Sequence, residues 1–127
     1  MRGIGSNTSK LSIIDCDKPD CTTLSKGVQK LVITTIDKEV KDHNIFLGFI
    51  KADVEGTALN VLKGGLKSIL LYRPVFDIAI YHNYEEMFKV TSFIKDLPNY
   101  VVEFHYANGI IDSFGELDLF AYPIELY

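Results

Sequence analysis

The sequence predicts an α/β fold in a single domain, residues 1–127, with a mostly parallel sheet and an antiparallel strand pair at the carboxyl end. Apolar runs of strand length alternate with segments whose apolar residues recur every three or four positions, which is typical of strands and helices joined by crossovers. The last two apolar runs are separated by only eight residues, 108–115, which leaves no room for a helix. These two strands should therefore pair antiparallel.

The first half of the chain contains two predicted strands and one predicted helix. Residues 28–37, VQKLVITTID, are rich in β-branched residues and predict a strand. The polar segment 38–44 has room for only a turn or two of helix. Residues 45–54, IFLGFIKADV, form a nearly continuous apolar run, which predicts a strand buried on both faces. From Thr57 onward a helix is predicted by the spacing of its apolar residues, which are Leu59, Leu62, Leu66, Ile69 and Leu70.

The second half of the chain continues the alternation. Residues 73–82 predict a strand, and residues 83–97 predict a helix with Asn83 as its N-cap. Residues 99–107 and 116–124 close the chain as two strands, and His105 within the first is expected to be a packing residue. The apolar face of the predicted helix comprises Met87, Phe88, Val90, Phe93, Ile94 and Leu97.

Composition argues against several classes of function. The net charge of −4 and the pI of about 5.3 give no basic surface for nucleic acid or an anionic membrane. The amino terminus lacks the apolar core of a secretory signal, and the longest apolar tract, 68–81, is interrupted by charged residues and a proline. We therefore expect a cytoplasmic protein. Cys16 and Cys21 predict a pair of reduced thiols rather than a zinc site, which would need four close ligands.

Polar residues follow two of the predicted strands. Asp53, Glu55 and Gly56 come directly after one strand, and His82 and Asn83 end the next. In open α/β sheets, ligands bind beyond the carboxyl ends of the strands, so these residues are candidates for a functional site. Simpler roles stay open: Glu55 could cap the following helix, Gly56 could only permit a turn, and His82 could be a structural hydrogen-bonding residue.

Four stretches carry a resemblance to a known family: TTID, FIKADVEGTALNVLKGG, RPVFDIAIYHN and LDLFAYP. Together they resemble the core of the FkbM family of S-adenosylmethionine-dependent methyltransferases, from about Val28 to Pro123. The most specific part is the DVEG tetrapeptide, residues 53–56, followed by VLKG, residues 61–64. The resemblance implies a partial class I methyltransferase (Rossmann-like) sheet, and O-methyl transfer to a hydroxyl of a sugar or secondary metabolite without a metal ion.

The resemblance also implies roles for the polar residues at the strand ends. Asp53, Glu55 and His82 are the implied catalytic residues, and Asp53 and Gly56 would contact the cofactor, S-adenosylmethionine. Glu55, His82 and Asn83 would contact the acceptor, a small molecule or a glycan. A carboxylate suits this place because it favours the cationic sulfonium and can accept the proton of the attacking hydroxyl.

The chain departs from the family pattern at two places. Ala58 stands where the family usually has a glutamate, and no strand with a glycine-rich turn precedes the DVEG stretch. GIGS, residues 3–6, is expected to be part of a loop, since Met1 and Arg2 cannot form the strand that such a turn requires. We therefore expect the chain to correspond to the carboxyl-terminal half of a methyltransferase domain, with weak or no cofactor affinity in isolation.

Two further expectations follow from this correspondence. Loss of the first strand would expose an edge of residues 45–54, to be covered either by residues 28–37 or by another copy of the chain. The alternative function is a non-catalytic, truncated α/β remnant or an interaction module. An acid/base hydrolase is disfavoured, because Asp53 and Glu55 on an extended strand would point to opposite faces.

Overall fold

The computed structural model describes residues 2–13, 29–106 and 116–126. Both cysteines and the predicted link 108–115 lie outside the described residues. In chain order, the elements are β1 (Arg2–Ile4), β2 (Ser9–Ile13), β3 (Gln29–Thr34), α1 (Ile36–His43), β4 (Phe49–Ala52), α2 (Ala58–Lys63), α3 (Leu66–Tyr72), β5 (Val75–Ala79), α4 (Tyr84–Lys95), β6 (Tyr100–Tyr106), β7 (Leu117–Pro123) and a 3-10 helix (Ile124–Leu126).

The strands form two small mixed sheets rather than one mostly parallel sheet. The first has the order β1-β3-β2, with β1 parallel and β2 antiparallel to β3. The second has the order β4-β5-β7-β6, in which only β4 and β5 are parallel. The predicted antiparallel pairing of the last two strands is confirmed, but β7 also inserts beside β5 and runs antiparallel to it. The prediction of a mostly parallel sheet is therefore wrong.

Strand β4 differs from its prediction in length and in burial. It spans four residues that alternate between exposed and buried, with Phe49 51% exposed and Ile50 7% exposed. The reason is its position at an edge of the second sheet, where β5 is its one strand neighbour among the described residues. Strand β3 pairs with β1 and β2 instead, so residues 28–37 do not cover this edge as proposed.

The predicted helix after Thr57 is broken into α2 and α3 at Gly64 and Gly65. A Cβ atom on Gly64 would lie 2.1 Å from the carbonyl oxygen of Gly5, so only glycine allows this approach. The amide of Gly5 in turn donates to the carbonyl of Thr34 at 2.8 Å. The segment predicted as a loop therefore begins as strand β1, because pairing with β3 satisfies its backbone.

The hydrophobic core lies between the second sheet and the helices packed on it. Its fully buried members include Leu62, Ile69, Phe76, Ile78, Val90, Ile94 and Leu119. Helix α4 contributes Val90 and Ile94, whereas Phe88, predicted on the apolar face, is 68% exposed. No helix in the described parts of the chain is long and apolar enough to cross a bilayer.

Candidate functional site

The segment after β4 makes a tight turn that depends on positive φ angles. Glu55 has φ 49 and Gly56 has φ 87. The carbonyl of Val54 closes the turn by accepting hydrogen bonds from the Thr57 amide at 3.1 Å and from Thr57 Oγ1 at 2.8 Å. A Cβ on Gly56 would lie 3.0 Å from Asn83 Nδ2, so both the backbone conformation and the available space favour glycine.

The segment after β5 leads directly into α4. The Asn83 side chain accepts a hydrogen bond from the Glu86 amide at 2.8 Å, which confirms the predicted N-cap. Because an N-cap residue has an extended backbone and the helix starts one residue later, the direction in which the chain leaves β5 is fixed. His82 is held immediately before this cap.

The two segments bring three predicted site residues together. His82 Nε2 lies 3.1 Å from Asp53 Oδ1 and 3.7 Å from Glu55 Oε2. The parallel pairing of β4 with β5 places the ends of both strands at one edge of the sheet. The expectation that Asp53 and Glu55 point to opposite faces is wrong, because both follow β4 and Glu55 adopts a left-handed conformation in the turn.

Glu86 is a fourth member of the cluster that the sequence reasoning missed. Its side chain is 1% exposed, and its Oε2 lies 3.0 Å from His82 Nδ1. Its Oε1 accepts a hydrogen bond from the Ala58 amide at 3.0 Å, so it also holds the first turn of α2. The sequence contains a signal for its burial, because Glu86 stands four residues before Val90 and eight before Ile94, which places it on the buried face of α4.

Exposure divides the cluster into two parts. The side chains of Asp53 and Glu55 are 56% and 76% exposed, whereas that of His82 is 9% exposed. The Tyr81 ring stacks on the His82 ring with centroids 4.5 Å apart. Partial burial, and then the Asp53 and Glu55 carboxylates, raise the pKa of the Tyr81 phenol. The negative charge of the exposed carboxylates therefore extends to the neighbouring Tyr81 ring.

Two cavities lie against this cluster. One, of about 340 Å³, is lined by Tyr81, His82, Asn83 and Tyr84 together with Ile80, Met87 and Leu117. Another, of about 310 Å³, is lined by Gly56, Leu59, Asn60, Asn83, Glu85, Glu86 and Lys89. Asn83 borders both cavities, so an acceptor-sized molecule in either one would contact a predicted site residue.

The arrangement is suited to two chemical tasks. Two exposed carboxylates can hold a cationic group, such as the sulfonium end of S-adenosylmethionine. A buried imidazole whose Nδ1 is fixed by Glu86 can present Nε2 as a proton acceptor. His105, by contrast, is exposed and pairs with Glu103 at 3.2 Å, so the expectation that it packs in the interior is wrong.

Two comparisons with known proteins bear on the family and the fold of the chain. Residues 3–120 match the model of the Methyltransferase FkbM domain. The fold is similar to the crystal structure of Methyltransferase FkbM from Methylobacillus flagellatus KT, with a TM-score of 0.68 and 23% identity. That likeness covers 94% of this chain and 27% of the other chain, so this chain spans about a quarter of its neighbour's length. Among curated proteins, none matches this chain.

Proposed function

Because the chain belongs to the Methyltransferase FkbM domain family, we propose that it forms the acceptor side of an S-adenosylmethionine-dependent O-methyltransferase. The proposed acceptor is a hydroxyl of a sugar or secondary metabolite, as a small molecule or a glycan. The observation that carries the proposal is the convergence of Asp53, Glu55 and the buried His82 at the ends of two paired parallel strands. Ligands of open α/β sheets bind at such edges.

In this proposal, each residue of the cluster has a defined task. When bound, S-adenosylmethionine supplies a methyl group on a cationic sulfur. Asp53 and Gly56 face the donor, and the Asp53 carboxylate stabilises its positive charge. Glu55, His82 and Asn83 face the acceptor, whose hydroxyl proton passes to His82 Nε2 or to a carboxylate as the oxygen attacks. Glu86 holds the imidazole through Nδ1, which leaves Nε2 as the accepting atom.

The alignment of the methyl donor with the acceptor should contribute more to the rate than proton transfer does. Fixing two reacting groups in place can lower the activation barrier by up to about 7–11 kcal/mol. A positioned general base accelerates a reaction by about 10²–10⁴-fold, which is a smaller effect. The Asn83 cap and the buried Glu86 hold His82 beside Asp53 and Glu55, which supports a fixed orientation toward a bound acceptor. We further propose that the second sheet corresponds to the carboxyl-terminal part of a class I methyltransferase sheet, and that a second copy of the chain covers the free edge of β4.

A specific observation favours the alternative, a non-catalytic remnant or interaction module. Phe46 and Phe49, just before and within β4, are 78% and 51% exposed. Exposed apolar side chains at a free strand edge are typical of surfaces that pair with another chain. In that alternative, the turn that follows Asp53 only supports the fold, and the chain binds no methyl donor.

A titration of the purified chain with S-adenosylhomocysteine, followed by amide NMR shifts, tests the proposal. Even weak binding should move the amides of residues 53–56 and 81–83, and Asp53→Asn should remove the effect. Asp42→Asn is the matched control, since Asp42 is an exposed carboxylate on α1 that pairs with Lys38. Unchanged spectra at millimolar ligand, or equal shifts in Asp53→Asn, would refute donor binding at this cluster and favour the alternative.

A further inference from the structure

Within the described residues, no lysine or arginine forms an ion pair with the carboxylates of the cluster. Asp53, Glu55 and Glu86 all lie within 4 Å of one imidazole. In the described part of the chain, the ion pairs of these three carboxylates involve His82 alone. Nearby Lys51 pairs with Asp77 at 2.8 Å, and Lys89 pairs with Glu85. Even a protonated imidazole would leave an excess of negative charge that a bound cation could offset.

The imidazole also presents a buried nitrogen without a hydrogen bond. His82 Nε2 is closed off from solvent and has no hydrogen-bond partner among the described residues. Asp53 Oδ1 is 3.1 Å away, but its direction is that of an ion pair rather than of an aligned hydrogen bond. A buried polar atom left unpaired costs about 1–3 kcal/mol, so a ligand for Nε2 would stabilise the site.

The distances suit one small ion. The three donor atoms of Asp53, Glu55 and His82 lie within 4.8 Å of one another, and two of their separations are 3.1 and 3.7 Å. Metal bonds to nitrogen and oxygen of about 2.0–2.2 Å place neighbouring ligands about 3.0–3.5 Å apart. Only small movements of the exposed Asp53 and Glu55 side chains would therefore complete the coordination.

Glu86 supplies the outer support that a metal-binding histidine usually has. A ligating imidazole commonly donates its other ring N–H to a carboxylate, which fixes the tautomer and the ring orientation. The Nδ1–Oε2 distance of 3.0 Å to the buried Glu86 meets this requirement. Glu86 is itself held by the Ala58 amide, so the orientation of His82 is set before any ion binds.

We propose that Asp53, Glu55 and His82 bind one divalent transition-metal ion, with Glu86 orienting the imidazole. Mixed carboxylate and imidazole ligands suit Mn²⁺ or Zn²⁺, whereas Ca²⁺ and Mg²⁺ favour oxygen ligands alone. Three protein ligands leave coordination positions open for an oxygen ligand from a bound molecule. This site differs from the metal-free transfer that the family resemblance implies, and it does not depend on the proposed methyl transfer. With an ion bound, the lone pair of His82 Nε2 is occupied, so that nitrogen cannot also accept the proton of an attacking hydroxyl.

The test uses Mn²⁺ alone, because the thiols of Cys16 and Cys21 would compete for Zn²⁺. The electron paramagnetic resonance signal of free Mn²⁺ decreases as the ion binds, and a titration should show one bound ion per chain. The Asp53→Asn variant should bind Mn²⁺ at least tenfold more weakly. Asp53 is exposed, so this variant should fold. His105→Asn is the matched control, because His105 also lies 3.2 Å from a carboxylate but is exposed, and its binding should equal that of the unsubstituted chain.

Three outcomes would overturn the proposal: no binding at millimolar Mn²⁺, unchanged affinity in Asp53→Asn, or an equal loss in His105→Asn. The measurement contains neither donor nor acceptor. Mn²⁺ binding without S-adenosylhomocysteine binding would therefore keep the cation site and refute donor binding at this cluster. S-adenosylhomocysteine binding without Mn²⁺ binding would keep the donor site and overturn the cation site.

Discussion

The two strand ends that build the cluster are held in different ways. After β4, Asp53 and Glu55 are more than half exposed; Asp53 precedes a turn with two positive φ angles, and Glu55 lies within it. After β5, His82 and Glu86 are almost fully buried and are linked to each other and to α2. The buried end is thus prepared by the fold, and the exposed end is available to a ligand. Changes at the β5 end should mainly affect stability, and changes at the β4 end should mainly affect binding.

The largest expected effect is that of Glu86→Ala. The substitution leaves the Ala58 amide and His82 Nδ1 without their partner, so the free energy of unfolding should fall by about 3 kcal/mol. Urea denaturation followed by circular dichroism measures it. The neighbouring Glu85→Ala is the control. Glu85 forms an exposed pair with Lys89, so its loss should cost less than about 0.5 kcal/mol. Similar losses in both variants would remove the distinction between the two ends.

Gly56→Ala should cost about 1–2 kcal/mol, although it lies at the exposed end. The alanine must adopt φ 87, which side chains disfavour, and its Cβ would lie 3.0 Å from Asn83 Nδ2. Gly48→Ala is the matched control, because its Cβ would meet only the Phe46 ring at 3.8 Å. Thermal unfolding of the two variants tests this, and a Gly56→Ala variant as stable as Gly48→Ala would contradict the strained turn.

Asn83→Ala should reduce the free energy of unfolding by about 1 kcal/mol, because α4 loses its side-chain cap. Asn83→Ser keeps an oxygen acceptor for the Glu86 amide without adding negative charge beside the cluster, and it should lose much less. Urea midpoints of the two variants give the comparison. If both lost stability equally, the role of Asn83 would lie in packing against the Gly56 turn instead.

The smallest effect on stability is expected for Glu55→Gln, within about 0.5 kcal/mol, since the side chain is 76% exposed. Its effect should instead be electrostatic. Removing one carboxylate charge should lower the pKa of Tyr81 toward its ordinary value, leaving the contributions of burial and of the other nearby carboxylates, Asp53 first among them. An NMR titration of the Tyr81 ring at alkaline pH measures this shift. An unchanged Tyr81 pKa would mean that the field of Glu55 does not reach the cavity.

Local patterns in the sequence predicted the parts of the site that depend on neighbouring residues. The Asn83 cap, the turn at Gly56 and the polar strand ends are set by the chemistry of a few adjacent positions. The burial of β4 was mispredicted because it depends on whether a strand pairs on both sides, which no run of apolar residues specifies. Glu86 was missed because its burial depends on the docking of α2, whose Ala58 amide comes from 28 positions away in the chain.

The break between α2 and α3 has the same origin. Leu59, Leu62, Leu66 and Ile69 keep helical spacing across it, so periodicity alone predicts one helix. What separates the two helices is the approach of the Gly5 carbonyl to Gly64, a contact between residues distant in the chain. The GG dipeptide was the local signal for this close approach.

The bond between Glu86 and the Ala58 amide also bears on the order of folding. Thr57 gives α2 no side-chain cap, so the first turn of α2 is completed by a residue 28 positions away. The Asn83 cap of α4 spans only three residues and can form early. Helix α2 should therefore consolidate after α4 has docked, and α2 substitutions should change the unfolding rate more than the refolding rate. A nascent chain that ends before residue 86 would have to hold this turn without its acceptor.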